Sequence, residues 1–234
     1  MIEAAIFDVF GTVVDWRCGV AAELRRMLGP ERPRLDFDRL ADAWRAEYDP
    51  AMARIREGGR AYTALDILHR ENLDRVLAAH GLTEALSEAA KAELNHAWEK
   101  LPPWPDSARG IAAIREQRLV APCSNGSIAL MSRLARFAGI EWDCILGAEI
   151  GRGYKPEPKV YLASCAALGL QPEQVVMVAA HNGDLGAAQS LGLKTAFIPR
   201  PKEHGPGQTK DLSPEGDWDF VAADLVDLAG KLDL

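Results

Sequence analysis

The sequence predicts an α/β protein in which helices cover both faces of a parallel sheet. An apolar run ending in Ala4-Ala5-Ile6-Phe7 has the length of a buried strand and stops at Asp8. Between residues 16 and 101 no strand signal appears, and apolar residues recur at helical spacing. Beyond residue 105, strand-like and helix-like segments alternate, which is typical of strands joined by crossover helices. Together these observations predict a doubly wound, Rossmann-like core with a helical insert.

The first strand ends in a carboxylate. Open parallel sheets bind ligands outside the carboxyl ends of their strands, so Asp8 lies where chemistry is expected. Gly11 follows closely and allows the backbone to turn sharply. For an isolated aspartate, a loop cap would be the better interpretation.

Residues 16–101 are predicted to be a series of helices. Val20, Leu24 and Leu28 form one apolar face, and Gly29-Pro30 ends that segment. The segment 102–105 has the sequence Pro-Pro-Trp-Pro and ends the insert, because proline cannot continue a helix. We therefore predict a core domain of residues 1–15 and 102–234 and a cap domain of residues 16–101. A simple packing subdomain is the alternative interpretation of the insert.

The alternating part of the chain predicts four helices and five strands. The helices are 107–117, 128–138, 159–168 and 185–191, and the strands are 119–123, 144–146, 175–179, 195–198 and 220–221. Residues 199–217 are rich in proline, glycine and charge, and this composition predicts a long surface loop.

Composition restricts the partners. The chain has 234 residues, of which 48% are hydrophobic and 26% charged, as in ordinary globular proteins. A net charge of −7 argues against nucleic acid or an anionic membrane as the main partner. A small anionic substrate remains compatible, because one Arg or Lys can set the potential inside a pocket. The oligomeric state is left open, a homodimer included.

The cysteines and the N-terminal segment predict a cytoplasmic protein. Cys18, Cys123, Cys144 and Cys165 are scattered without a C-x-x-C pair, which favours reduced thiols over disulfides or a zinc site. Glu3 lies in the first apolar run, so that run does not read as a signal peptide. No apolar stretch approaches the ~20 residues that span a bilayer.

Residues 8–15 carry the pattern D-x-x-G-T-x-x-D, formed by Asp8, Gly11, Thr12 and Asp15. This pattern resembles the nucleophile motif of the haloacid dehalogenase superfamily. The resemblance implies that Asp8 attacks the substrate and forms a covalent ester, with Thr12 in the catalytic set.

Phe10 is a departure from that motif. Phosphatases of the superfamily usually have a second aspartate there, which protonates the leaving group. An alkoxide needs such a proton, whereas a halide, the base of a strong acid, does not. An aromatic residue therefore fits carbon–halogen cleavage better, and F-D-V-F-G-T-V-V-D-W resembles the type II 2-haloacid dehalogenases.

Two further motifs of that family are present. Ser124 and Asn125 begin an S-N-G-S string, and the resemblance implies that they hydrogen-bond the nucleophile, the substrate or the halide. Capping of the next helix is the alternative. Lys155 lies in G-Y-K-P-E-P-K-V-Y, which implies an ammonium group beside Asp8 that keeps it ionised. In the same motif Tyr161 is implied to donate a supporting hydrogen bond.

Asp184 aligns with the acidic fourth motif. Phosphatases tend to have another acid four residues on, where this chain has Ala188. With Phe10 at the other position, the oxygen ligands that Mg²⁺ prefers are too few, so we predict no metal and no cofactor. His181 and Asn182 differ from better-known members and are assigned to the substrate or halide side. For His181, a general base and a packing residue are equally open.

Arg45 lies in a predicted cap helix, in A-W-R-A-E-Y. The segment resembles the one in which dehalogenases place the arginine that receives halide or carboxylate. Arg17 is a weaker candidate for that task.

We therefore predict a hydrolytic dehalogenase of short 2-haloalkanoic acids that yields 2-hydroxyacids through an aspartyl ester. The alternatives are a magnesium-dependent small-molecule phosphatase of the same superfamily and a non-catalytic ligand-binding relative.

Overall fold

The structure is a computed structural model and describes residues 1–233. Six strands in this range form one parallel sheet in the order β3-β2-β1-β4-β5-β6. Their bounds are β1 Ala4–Phe7, β2 Leu119–Ser124, β3 Leu146–Gly147, β4 Val175–Ala179, β5 Lys194–Phe197 and β6 Phe220–Val221. The predicted α/β class with a doubly wound sheet is confirmed.

The order of the strands reverses at β1. Ala4 of β1 lies opposite Leu119 of β2 on one side and opposite Val175 of β4 on the other, and all four residues of β1 are buried. Along the chain, β2 and β3 are added on one side of β1, and β4, β5 and β6 are then added on the other. The connections therefore diverge at the carboxyl end of β1. A crevice for ligands opens at such a switch point. Asp8 is the first residue beyond β1 and lies at this crevice.

Five α-helices and no strand lie within residues 16–101. They are α1 Trp16–Leu28, α2 Phe37–Ala46, α3 Tyr48–Arg56, α4 Leu65–Ala79 and α5 Glu88–Asn95. Asp15 begins α1, and its side chain accepts a hydrogen bond from the backbone N–H of Cys18. We call residues 16–101 the cap segment; its status as a separate domain stays a prediction.

Six α-helices flank the sheet within residues 102–233. They are α6 Ser107–Arg115, α7 Ile128–Ala138, α8 Ala148–Gly151, α9 Pro158–Ala167, α10 Asn182–Gln189 and α11 Leu225–Leu232. The predicted bounds of α7, β4 and β6 agree with the structure. Helix α10 begins three residues before the prediction, because its apolar face starts only at Leu185. Helix α11 was not predicted, although Leu225, Leu228 and Leu232 form its buried face.

Residues 199–217 differ from the predicted surface loop. Arg200 and Glu203 are buried, with exposed fractions of 7% and 1%. The guanidinium of Arg200 donates two hydrogen bonds to Asp106, at 2.7 and 2.8 Å, and a third to the carbonyl of Thr12. The start of this loop is therefore part of the interior, because each buried charge meets an opposite charge there. We call residues 199–217 the C-terminal loop.

Aromatic packing joins the cap segment to the core. The ring of Phe10 meets Trp98 edge-on at 5.7 Å, and Trp98 meets Trp44 in the same way at 5.5 Å. All three belong to one buried apolar cluster that also includes residues of β1. This packing fixes the cap helices above the carboxyl ends of the strands. Among residues 1–233, no helix is long and apolar enough to cross a membrane.

Candidate active site

A cavity of about 640 Å³ opens between the carboxyl ends of the strands and helices α2 and α3. Its volume falls within the roughly 300–1,000 Å³ typical of small-molecule sites. Three parts of the chain line it: the core with Asp8, Phe10, Asn125, Lys155, Pro156, Tyr161, His181, Gly183 and Asp184; the cap segment with Arg45, Ala46, Tyr48, Asp49 and Met52; and the C-terminal loop with His204 and Lys210.

Asp8 is a buried carboxylate with three side-chain partners. The hydroxyl of Thr12 donates to Oδ2 at 2.7 Å, Lys155 Nζ donates to Oδ1 at 2.9 Å, and His181 Nδ1 lies 3.0 Å from Oδ2. Burial alone would raise the pKa of Asp8, but the positive charges of Lys155 and His181 outweigh it and hold that pKa well below its usual range. Asp8 is therefore ionised at neutral pH.

Thr12 connects the end of β1 to the end of β4. Its hydroxyl oxygen accepts a hydrogen bond from the backbone N–H of Ala180 at 2.9 Å while donating to Asp8. The backbone N–H of Asp8 donates to the carbonyl of Val178. These bonds fix both the backbone and the side chain of Asp8.

Lys155 lies between two carboxylates. Its ammonium group contacts Asp8 and Asp184, and its backbone N–H donates to Asn125 Oδ1 at 2.8 Å. Burial would lower the pKa of Lys155, but Asp184 and Asp8 raise it well above its usual value. The hydroxyl of Tyr161 donates to Asp184 at 2.5 Å, as the motif implies.

His181 links Asp8 to an acid that the motifs do not contain. Its Nε2 lies 2.9 Å from Oε2 of Glu203, and its Nδ1 faces Asp8. Burial would lower the pKa of His181, but Glu203 and Asp8 together raise it well above its usual value. With both ring nitrogens facing carboxylates, the ring is an imidazolium that donates at each end. Both ring nitrogens therefore contact polar partners, whereas a histidine that only packs would not need them.

Glu203 occupies the space that Gly11 leaves free. A Cβ at position 11 would lie 2.1 Å from Oε1 of Glu203, and Gly11 has a φ of +93°. Oε1 accepts a hydrogen bond from Trp16 Nε1 at 3.0 Å. Burial would raise the pKa of Glu203, but the charge of His181 outweighs it and lowers that pKa. The glycine of the first motif therefore serves both the turn and the placement of this acid.

The side chains around Asp8 offer few oxygen ligands for a magnesium ion. Within residues 1–233, no group of three or more His, Cys, Asp or Glu side chains is arranged to hold a metal ion. Phe10 and Ala188, at the positions where acids would be needed, are buried apolar residues. The ammonium of Lys155 contacts both Asp8 and Asp184, so a cation already lies between these carboxylates.

Arg45, in the last turn of α2, lines the cavity from the cap segment. Its guanidinium carbon lies 3.9 Å from the centre of the Tyr48 ring. The alternative candidate, Arg17, lies outside the cavity lining and is paired with Asp42 and Asp38. Of the two arginines, Arg45 is the one in the cavity.

Three predicted site residues do not line the cavity, and one of them, Thr12, acts on it through its hydrogen bond to Asp8. Ser124 is buried, and its hydroxyl accepts a hydrogen bond from the N–H of Gly126 at 3.1 Å, which shapes the turn after β2. The side chain of Asn182 contacts Asp211 in the C-terminal loop and Trp218 just beyond it. The polar atoms of the Asn182 side chain thus hold that loop, and its assignment to the substrate side stays a prediction.

Three residues near Asp8 were missed by the motif analysis, and all are in the C-terminal loop. His204 and Lys210 line the cavity, and Glu203 reaches Asp8 through His181. The sequence offered one signal for them. The loop follows the predicted strand 195–198, and all strands of a parallel sheet end at the same edge, so the start of this loop is expected at the edge that carries Asp8.

Comparison with known proteins agrees with this geometry. The model of the haloacid dehalogenase-like hydrolases matches residues 2–192. An (S)-2-haloacid dehalogenase from Xanthobacter autotrophicus is 29% identical over 205 residues, which cover 86% of this chain and 76% of that protein.

Solved structures extend the similarity to the whole chain. The crystal structure of a defluorinating L-2-haloacid dehalogenase is 48% identical with a TM-score of 0.97, covering 100% of this chain and 96% of the other. The L-2-haloacid dehalogenase of X. autotrophicus with chloropropionic acid covalently bound is 25% identical with a TM-score of 0.82, covering 100% and 99%.

Proposed function

Because the chain belongs to the haloacid dehalogenase-like hydrolases, we propose that it cleaves the carbon–halogen bond of short 2-haloalkanoic acids by hydrolysis. The activities named for its relatives support this substrate class. One observation carries the proposal: the ionised Asp8 faces a cavity in which Phe10 replaces the acid that a phosphate ester would need. The products are halide and a 2-hydroxyacid.

In the first step, Asp8 attacks C2 of the substrate from the side opposite the halogen. The new C–O bond forms as the carbon–halogen bond breaks, and the halogen leaves with the bonding electrons. Lys155 and Thr12 hold the carboxylate in place for this attack, because each donates to one of its oxygens. Arg45 stabilises the departing halide, with Asn125 as a second donor in the cavity.

In the second step, water attacks the carboxyl carbon of Asp8. Esterification removes one of the two negative charges that raise the pKa of His181, so the proton on Nδ1 is released more easily. The negative charge of Glu203 keeps the other proton on Nε2 of His181. The deprotonated Nδ1 then accepts a proton from the attacking water. The departing alkoxide takes that proton, and the second proton of the water passes from the new carboxyl group of Asp8 to Nδ1, which restores both the carboxylate and the imidazolium. The proton that Nδ1 first released to solvent balances the halide, so the reaction yields the 2-hydroxyacid, halide and one proton.

The phosphatase alternative fits this cavity less well. Phe10 cannot protonate an alkoxide, and neither Phe10 nor Ala188 offers an oxygen ligand for Mg²⁺. A halide-release assay with chloro-, bromo- and fluoroacetate, with and without EDTA, separates the two functions. We expect halide release that EDTA does not change. Phosphate release from small esters that requires added Mg²⁺ would favour the phosphatase.

The ester itself is tested by a single turnover in H₂¹⁸O with enzyme in excess. If water attacks Asp8, the oxygen delivered to the product comes from the protein, so ¹⁸O appears in the peptide that contains Asp8. Labelled hydroxyacid beside unlabelled Asp8 would mean that Asp8 acts only as a general base.

A further inference from the structure

The carboxylate of Glu203 has a different hydrogen-bond partner on each of its two oxygens. Oε2 faces Nε2 of His181 at 2.9 Å, and Oε1 accepts the indole N–H of Trp16 at 3.0 Å. A third polar neighbour, His204, has its Nε2 3.6 Å from Oε1, which is beyond hydrogen-bond distance. Within residues 1–233, the indole N–H is therefore the sole hydrogen-bond donor to Oε1 of this buried acid.

The indole ring of Trp16 is itself fixed by its neighbours. Trp16 is the first residue of α1 and is 1% exposed. Its ring lies nearly parallel to that of Trp98, with centroids 6.4 Å apart, and the guanidinium carbon of Arg45 lies 5.5 Å from its centre. Because the ring cannot turn without displacing these groups, its N–H stays directed at Glu203.

The orientation of Glu203 matters for the second step of the reaction, in which it keeps a proton on Nε2 of His181. A buried carboxylate that loses a donor is harder to ionise, and it is free to turn about its last bond. Gly11 lies directly against this carboxylate but has no side chain that could hold it. The hydrogen bond from Trp16 therefore fixes the oxygen that His181 does not contact.

We propose that Trp16 is a positioning residue for ester hydrolysis, because its N–H holds Glu203 in the orientation that lets His181 act as the base. This inference rests on the proposed function and adds a residue of the cap segment to its second step. Trp16 is not among the hydrogen-bond partners of Asp8, so the attack on the substrate does not depend on it.

The substitution Trp16→Phe tests this role, because it removes the N–H and keeps an aromatic face for Arg45. In a rapid-quench single turnover of 2-chloropropionate, we expect ester hydrolysis to slow about tenfold, as for the loss of one hydrogen bond to a charged group. The rate of halide release in the first step should change little. Intact-mass analysis should then detect the ester on Asp8.

Trp98→Phe is the matched control. It makes the same change on a buried ring of the same apolar cluster, and the N–H of Trp98 has no hydrogen-bond partner in the described part of the chain. This variant should keep the wild-type ratio between the rates of the two steps. Selective slowing of hydrolysis by Trp98→Phe, or equal slowing of both steps by Trp16→Phe, would overturn the inference.

A double variant separates positioning from packing. If Trp16 acts through Glu203, then Trp16→Phe should slow hydrolysis no further when Glu203→Gln is already present. Independent losses that multiply in the double variant would mean that Trp16 acts by packing alone. Replacement of Trp16 by benzothienylalanine, in which sulfur takes the place of the N–H, repeats the test with the shape of the ring preserved.

Nuclear magnetic resonance of the His181 ring provides a measurement that does not depend on activity. The proton on Nε2 should exchange with solvent faster in Trp16→Phe than in the wild type or in Trp98→Phe, and equal exchange in all three would overturn the inference. Wild-type protein that releases no halide and forms no ester would refute the proposed function, and this exchange measurement would still decide whether Trp16 holds Glu203 against His181.

Discussion

Asp8 has three side-chain partners, and two of them carry positive charge. The substitution Asp8→Asn keeps the shape of the side chain but removes the nucleophilic carboxylate. We expect halide release to fall by about 10⁴-fold or more, as for the loss of other catalytic nucleophiles. Circular dichroism should show an unchanged fold. Halide release near the wild-type rate would contradict the assigned role of Asp8.

Glu203 acts on the reaction only through His181, and this gives it a specific kinetic signature. Glu203→Gln removes the charge that holds the proton on Nε2, so we expect the hydrolysis step to slow and the alkylation step to remain. The assay should give a burst of one halide per enzyme, followed by a slow phase. Intact-mass analysis should then detect the ester on Asp8.

Glu215→Gln is the control for Glu203→Gln. It makes the same change at an exposed position of the C-terminal loop, and its kinetics should match the wild type. A uniform loss of both steps in Glu203→Gln, without accumulated ester, would mean that Glu203 has only a structural role.

At the scale of elements, the C-terminal loop is attached to the core by the ion pair of Arg200 and Asp106. Both side chains are 8% exposed, and Asp106 also accepts a hydrogen bond from the N–H of Leu225. Arg200→Met leaves a buried carboxylate without its cation. We expect the free energy of unfolding to fall by about 3 kcal/mol, measured by urea denaturation.

The double variant Arg200→Met/Asp106→Leu separates the ion pair from packing. With both charges removed, no unpaired carboxylate is left in the interior, so part of the lost stability should return. If the single variant is as stable as the wild type, the ion pair does not anchor the loop.

The elements that carry motifs could be predicted from the sequence, because their functional residues come directly after buried strands. Asp8 and Lys155 meet as the motif resemblance implies. The C-terminal loop could not be predicted in the same way, because its composition indicates only a surface loop. The burial of Glu203 depends on the missing side chain of Gly11, which is distant in sequence. The contact of Asn182 with Asp211 could not be predicted either, because Asp211 lies in that same loop.

At the scale of the whole molecule, the buried charges predict how stability depends on pH. The pKa values of Asp8 and Glu203 are lowered by folding, so their stabilisation is present above the ordinary carboxyl pKa of about 4 and is lost as pH falls below it. The pKa of His181 is raised, so its contribution is complete below about 6.5 and is lost as pH rises through the raised value. Stability should therefore be greatest between these limits.

Urea denaturation from pH 3 to pH 9 measures this dependence. We expect Glu203→Gln to lose less stability than the wild type between pH 7 and pH 3, because one of the carboxyl groups with a lowered pKa is gone. Glu215→Gln should keep the wild-type dependence. Equal loss in wild type and Glu203→Gln would mean that Glu203 is not ionised in the folded protein.

The central position of β1 also governs how the chain is made. The ribosome produces β1 long before its neighbours β2 and β4, which begin only at Leu119 and Val175. Until β4 has emerged, one edge of this wholly apolar strand has no partner, and unpaired edges invite aggregation. The cap helices, whose contacts are local, can form during that interval. The first strand of a nascent chain therefore needs protection until β4 is made, and Asp8 acquires its cationic partners Lys155 and His181 long after its partner Thr12.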